Sequence, residues 1–362
     1  MKQFYFSTAM LLVSIVSYAT IRTVSNSPAT LAQFNTIQAA INASASGDTI
    51  YVHGSPTTYT AFTLTNKQVV IIGPGWSPNK NLPFTALVNG CTIDGAACSN
   101  TEIQGIVFNS SITLNSNKPD NLRFIRNYFA GINVLINQGS VTYSGYLFEG
   151  NVFDNSEANG TTSATYQNFL FQNNVFYETG CCVATSIGSF SNSVNVLFNH
   201  NLWYGPGSST RDCFTSNCRF LTLTNNIFVR RNAGNSNSFS TFNNNITFYP
   251  VGSTPPADPW NINSNVNSGG NVSNQDPQLV DQAAVNAGTN NPLLDFTIPA
   301  GPANNTGSDG KDMGLLYDPI GSLNWLTSRT SRLPFIFSMN ITNPTIPQGG
   351  TLNVVVEARK NN

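Results

Sequence analysis

Six copies of one short phrase run down the middle of the chain, each with Asn at the same place. They are Phe124-Ile-Arg-Asn127-Tyr-Phe129, Phe148-Glu-Gly-Asn151-Val-Phe153, Phe171-Gln-Asn-Asn174-Val-Phe176, Phe198-Asn-His-Asn201-Leu-Trp203, Leu223-Thr-Asn-Asn226-Ile-Phe228 and Phe242-Asn-Asn-Asn245-Ile-Thr247. The shared Asn returns after 24, 23, 27, 25 and 19 residues. A period in the low twenties implies stacked supersecondary units, because one such unit cannot bury its own apolar face.

Ahead of each Asn the apolar residues alternate: Leu122 and Phe124, Tyr146 and Phe148, Phe169 and Phe171, Val196 and Phe198, Leu221 and Leu223. Period two marks a strand with one face in the core. Tyr128, Val152, Val175 and Ile227 beside the Asn also favour strand, and no amphipathic helix runs through the repeats. A leucine-rich repeat shares the period but needs a leucine frame and a helical return, neither of which is present. The pattern therefore predicts an all-β parallel β-helix. Inward Asn127, Asn151, Asn174, Asn201, Asn226 and Asn245 would form a ladder of amides that satisfies buried turn backbone.

Further motifs carry a resemblance. Phe34-Asn-Thr-Ile-Gln-Ala-Ala-Ile-Asn42 precedes Gly47-Asp-Thr-Ile-Tyr-Val52, then Val69-Val-Ile-Ile-Gly-Pro-Gly75 follows, and Ser308-Asp-Gly-Lys-Asp-Met-Gly314 comes late in the chain. Together they resemble the right-handed parallel β-helix superfamily, the pectate-lyase-like group, in its secreted bacterial form. The resemblance covers roughly residues 34–318. It implies a helical plug at the N-terminal end and a Gly-Asp turn into the first strand, with about ten or eleven coils. It says little about activity, since this scaffold hosts lyases, hydrolases, adhesins and inert spacers.

The expected organisation is a signal peptide over 1–19, a lead-in over 20–33, the β-helix over 34–320, and a capping hairpin or tail over 321–362. Lys2, the apolar run around Ala9–Val16 and Ser17-Tyr18-Ala19 fit a cleaved export signal. No stretch is long enough to span a bilayer as a helix, so the mature chain is expected to be secreted or held at the cell surface. Only 9% of residues are charged, with a formal net charge of −1, so no nucleic-acid or membrane-surface partner is implied. Disorder is opposed by 40% hydrophobic residues.

Six cysteines in an exported chain favour disulfides, with Cys91–Cys98 and Cys213–Cys218 as the preferred pairs. Adjacent Cys181 and Cys182 are left open between a vicinal bridge, other partners and the reduced state. His53 and His200 are far apart and no Cys-x-x-Cys occurs, so no metal centre is expected. Past Asn245, prolines break the strand pattern and 261–274 reads as a polar irregular coil or loop. Phe335–Thr342 and Thr351–Glu357 read as a hairpin that docks on the C-terminal end of the coil.

Chemistry is harder to place. Lyases of the resembling group need an Arg or Lys base beside an acidic calcium cluster, and its hydrolases need paired Asp residues and a Gly-His pair. Neither pattern is present, so catalytic residues do not carry over. Calcium is expected only if the chain is a lyase, and otherwise no cofactor. The weak catalytic candidates are Arg126, Glu149, Asp154, Glu178 and Arg211; for Arg126 with Glu149 a surface ion pair is the preferred reading. His200 reads as a hydrogen-bonding turn residue. Phe129, Phe153, Phe176, Trp203 and Phe228 read as an internal stack. Asp154, Tyr177, Glu178 and Tyr204 lie just past the repeated strand and would stack into one ribbon for sugar rings. Loops at Ser156–Thr165, Thr179–Ser193 and Gly205–Asn217 would wall it. The expected function is a non-catalytic scaffold for polysaccharides or cell-surface glycans. A polysaccharide lyase or glycoside hydrolase is one alternative, and a structural component that meets surface proteins is another.

Overall fold

The chain winds into a parallel β-solenoid. The computed structural model describes residues 19–77, 84–115, 117–178, 186–206, 211–318, 323–328, 335–341 and 348–359. Three long sheets run along the coil. The first has eleven strands from Ile21–Val24 to Val266–Asn267, the second eight from Leu87–Val88 to Ile246–Phe248, and the third seven from Phe62–Leu64 to Phe214–Thr215. The repeated phrase builds two of them. Its first half stacks Phe124, Phe148, Phe171, Phe198, Leu223 and Phe242 in register in the first sheet. Its second half stacks Phe129, Phe153, Phe176, Trp203 and Phe228 in the second.

These inward rings form the core. Phe148, Phe171 and Phe198 follow one another at 4.6 and 4.5 Å between centroids, and Phe153, Phe176, Trp203 and Phe228 at 4.7, 4.5 and 4.8 Å. That spacing is close to the separation of adjacent strands, so each coil places its ring directly on the last.

Between the two halves the chain must turn sharply. Arg126, Gly150, Asn173, His200, Asn225 and Asn244 all have φ between 51° and 64°, a left-handed conformation that Gly and Asn adopt most readily. The next residue is the ladder Asn. The Oδ1 of Asn174 accepts from the backbone N–H of Asn151 (2.9 Å) and from its Nδ2 (3.0 Å), while Asn174 Nδ2 donates to the Phe148 carbonyl (2.9 Å). The same set repeats from Asn127 to Asn245. It continues one coil further than the sequence phrase, to Asn271, whose Oδ1 accepts from Asn245 N (3.0 Å). The stretch 261–274, expected as an irregular coil or loop, therefore carries the last rung, with Val266–Asn267 as its strand in the first sheet.

At the N-terminal end a helix, Ile37–Ala43, lays Ile37, Ala40 and Ile41 over the core; Thr36 Oγ1 caps it by accepting from Ala39 N (3.1 Å). The expected lead-in contains the first strand, Ile21–Val24, paired in register with Thr49–Val52. At the other end Trp260 closes the core under Phe242, 6.2 Å away.

One expectation is corrected. Cys91, Cys98, Cys213 and Cys218 are buried free thiols, not two disulfides. Strand geometry decides this: Cys91 stacks in register between Phe62 and Ile112 and points into the core. Cys98 lies in a short 3-10 turn with its Sγ toward the Asp94 carbonyl, and Cys218 Sγ turns to the Thr215 carbonyl (3.4 Å). Burial pushes all four thiols up, Cys218 to about 12. Cys181 and Cys182 lie outside the described residues. The expected hairpin is present, Phe335–Ile341 against Val354–Arg359, and residues 351–357 of its second half are exposed. The chain reaches the hairpin from Trp325, which packs on Trp76 at 5.9 Å, toward the N-terminal coils.

Candidate functional site

The expected ribbon is in phase. Asp154, Tyr177 and Tyr204 stack as direct neighbours on the outward side of the second sheet, and Glu178 follows Tyr177. Beside them runs an apolar column of Val152, Val175, Leu202, Ile227 and Ile246. An outward face that apolar cannot be left to water. After Val272, which bridges to Ile246, the chain turns back along this face. Gly314 N donates to the Asn225 carbonyl and Leu316 N to Asn173 Oδ1, both at 2.7 Å, so this closing segment retreats toward earlier coils. Leu279, Val285, Leu294, Phe296, Ile298, Met313, Leu315 and Trp325 complete a second hydrophobic core over the sheet.

The exposure expected for Tyr177 and Tyr204 is thereby corrected: they are 3% and 0% exposed. Tyr177 donates its hydroxyl to the Gly288 carbonyl (2.8 Å) and Tyr204 to that of Asn291 (3.4 Å), and burial raises both phenols. Asp154 is half-buried; it accepts from the Tyr128 hydroxyl (2.6 Å) and from Asn290 Nδ2 (3.2 Å), which ties the sheet to the closing segment. Glu178 is buried against Arg231. Its Oε2 stands 3.8 Å from Arg231 Nε, its carbonyl accepts from Nη2 (2.8 Å), and its Oε1 accepts from Ser186 Oγ (2.9 Å). It thus balances a guanidinium that is wholly out of water.

Arg126 is buried rather than paired on the surface; its Cγ lies beside Gly150, which Ser328 of the closing segment also approaches. Glu149 sits on the outward face of the first sheet, where Gln172 Nε2 donates to it. The Arg126–Glu149 ion pair is absent among the described residues. Arg211 pairs its backbone with Arg231, and its side chain lies outside the description. The expected walls are in part third-sheet strands: Glu157–Asn159, Ile187–Gly188 and Phe214–Thr215. Residues 179–185 and 207–210 lie outside the described residues. No group of three or more His, Cys, Asp or Glu among the described residues could hold a metal ion.

His200 is one of the links that hold the closing segment. It is fully buried, with Nδ1 3.1 Å from the Gly314 carbonyl and Nε2 3.1 Å from both Asp309 Oδ2 and Asn225 Nδ2. Nδ1 must donate to the carbonyl, so a neutral ring accepts from Asn225 at Nε2. Burial holds its pKa below the ordinary value, outweighing the opposing pull of the Asp309 carboxylate; Lys311 adds to the lowering. A histidine depressed in the folded state stabilises fully above its unfolded pKa, and that stability is lost as pH falls through the folded pKa. His200→Asn, the residue used at positions 173, 225 and 244, is expected to melt with a weaker pH dependence between pH 7 and 5 than wild type. Parallel melting curves would remove the assignment.

A second left-handed column lies at the turn leading into the first sheet. Asn100, Asn121, Gly145, Asn168, Asn195, Phe220, Phe239 and Ser264 occupy it, with φ between 53° and 78°. Backbone bonds fix the alignment: Asn168 N donates to Val194, Phe220 N to Ser238 and Phe239 N to Asn263. Here two phenylalanines stand where other coils use Asn, Gly or Ser, and they are 49% and 46% exposed. Sequence reasoning missed them. The available signal was a Phe aligned with Asn one residue before the inward alternation begins. Compared with protein families and with curated proteins, the chain matches none.

Proposed function

We propose that the chain is an exported scaffold that binds glycans or glycan-coated surfaces along its coil and carries out no polysaccharide cleavage. One observation carries this reading: Asp154, Glu178 and Arg126, three of the acid–base candidates with described side chains, are engaged in internal structure. Asp154 and Glu178 hold the closing segment and a buried guanidinium, and Arg126 is buried. A general acid or base needs reach to a substrate atom, and these three face protein; Glu149 faces outward but has only the Gln172 amide as its described partner, with no second acid or base beside it in its column. Outward on the first sheet, by contrast, Glu149, Gln172, Asn199, Thr224 and Asn243 stack as a regular polar column. Export rests on the signal-like residues 1–19, which lie mostly outside the described residues.

The test is incubation of the mature protein with xylan, dextran, alginate and polygalacturonate, following ultraviolet absorbance for unsaturated ends and reducing-end release. Binding without turnover is expected. Turnover lost on Asp154→Asn or Arg126→Ala would replace this reading with a lyase or hydrolase. Neither binding nor turnover would favour a structural component.

A further inference from the structure

Resting on that binding reading, we infer that Phe220, Phe239 and Arg219 form a stacking platform for the sugar rings of a linear polysaccharide. Four observations converge. The two rings face each other across one coil step, with centroids 5.7 Å apart, and both are half in solvent. The Arg219 guanidinium lies over both, 5.2 Å from the centre of Phe220 and 4.7 Å from that of Phe239. No described ion pair engages Arg219, and its Nε meets no acceptor among the described residues. Both phenylalanines sit in a left-handed backbone conformation that is a true outlier for a bulky side chain. Nothing in the core requires them there, since neighbouring coils make the same turn with Asn or Gly. Such outliers gather at ligand clamps.

The surroundings specify the ligand. Two shallow grooves of about 470 and 410 Å³, one lined by Phe239 and the other by Arg219, share Asn217 and Ser238. One extends to Ser264 and the other to Thr162 and Asn192, so the trough crosses several coils. At the strand separation this is roughly 19 Å, room for several units of a polymer rather than one monosaccharide. Its lining is amide and hydroxyl, the groups that exchange hydrogen bonds with sugar hydroxyls, while aromatic faces take the apolar side of a pyranose. The half-buried Arg219 guanidinium lines one of the grooves and has donors in its plane, with no described ion pair to compete for them.

The test uses affinity electrophoresis through gels containing xylan, dextran, alginate or polygalacturonate. The full-length chain is compared with Phe220→Asn/Phe239→Asn and with Arg219→Gln. Asn suits the left-handed position, so the double variant is expected to melt no lower than wild type while its affinity falls about tenfold or more, given about 1.4 kcal/mol per factor of ten. Arg219→Gln is expected to weaken binding with melting unchanged. Wild-type binding that survives both changes would overturn the platform and leave the scaffold reading standing. Wild type that binds none of the four polymers would overturn both. If the double variant melts lower, Arg219→Gln decides: unchanged binding then overturns the platform.

Discussion

Replacing Asn174 by Leu is expected to lower stability by about 2–6 kcal/mol, counting roughly 1–3 kcal/mol for each buried group that loses its partner. Two such groups lose the amide, the Asn151 backbone N–H and the Phe148 carbonyl, while Asn151 Nδ2 loses one acceptor and keeps the Phe124 carbonyl. Water cannot replace the amide, because Asn151 and Asn174 are both 0% exposed. The same change at Asn271, which is half-exposed at the end of the ladder, should cost less than half as much. Chemical denaturation of the two variants beside wild type measures the difference. In a solenoid each coil is coupled mainly to its neighbours, so a biphasic transition for Asn174→Leu is also consistent with the role. Equal, small losses at both positions would reduce the ladder to a sequence regularity.

The ladder was legible because the repeated phrase places Asn, its preceding turn residue and its flanking rings at fixed offsets. Asn271 escaped because its coil lacks the aromatic. Yet Gly270-Asn271-Val272 repeats Gly150-Asn151-Val152, with Gly270 left-handed like Gly150. The filled ribbon was also written in the chain. Val175-Phe-Tyr177, Leu202-Trp-Tyr204 and Ile227-Phe-Val229 are apolar at three successive positions, and a strand apolar on both sides is covered on both sides. Reading only the inward alternation left Tyr177 and Tyr204 in solvent. The segment that covers them, within 275–328, has few strands or helices among its described residues, so no periodicity announces it. Its side chains acquire a pattern only when laid on the sheet. The thiols failed for a related reason: short sequence separation says two cysteines are near, while strand direction decides whether they face each other.

Phe296→Ala is the change expected to separate a permanently filled ribbon from a covered one. Phe296 is fully buried in the second core, where its ring lies 5.8 Å from Tyr204 and 6.4 Å from Trp325. Its backbone N–H also donates to the Tyr317 hydroxyl (3.0 Å). Removing the ring should cost about 3–5 kcal/mol. Because the closing segment meets the sheet through separate contacts, the loss should fall on that segment before it reaches the coil. Phenol nitration read by mass spectrometry follows it: Tyr177 and Tyr204 should resist the reagent in wild type and react in the variant, while the ring stack inside the coil persists by near-ultraviolet dichroism. Tyrosines that already react in wild type would mean that the segment is not seated as described. If the variant opens the ribbon and begins to cleave polysaccharide, Asp154 and Glu178 would return as candidate acids and the scaffold reading would fail. If it opens without turnover, these carboxylates are structural, because freeing them gives no chemistry.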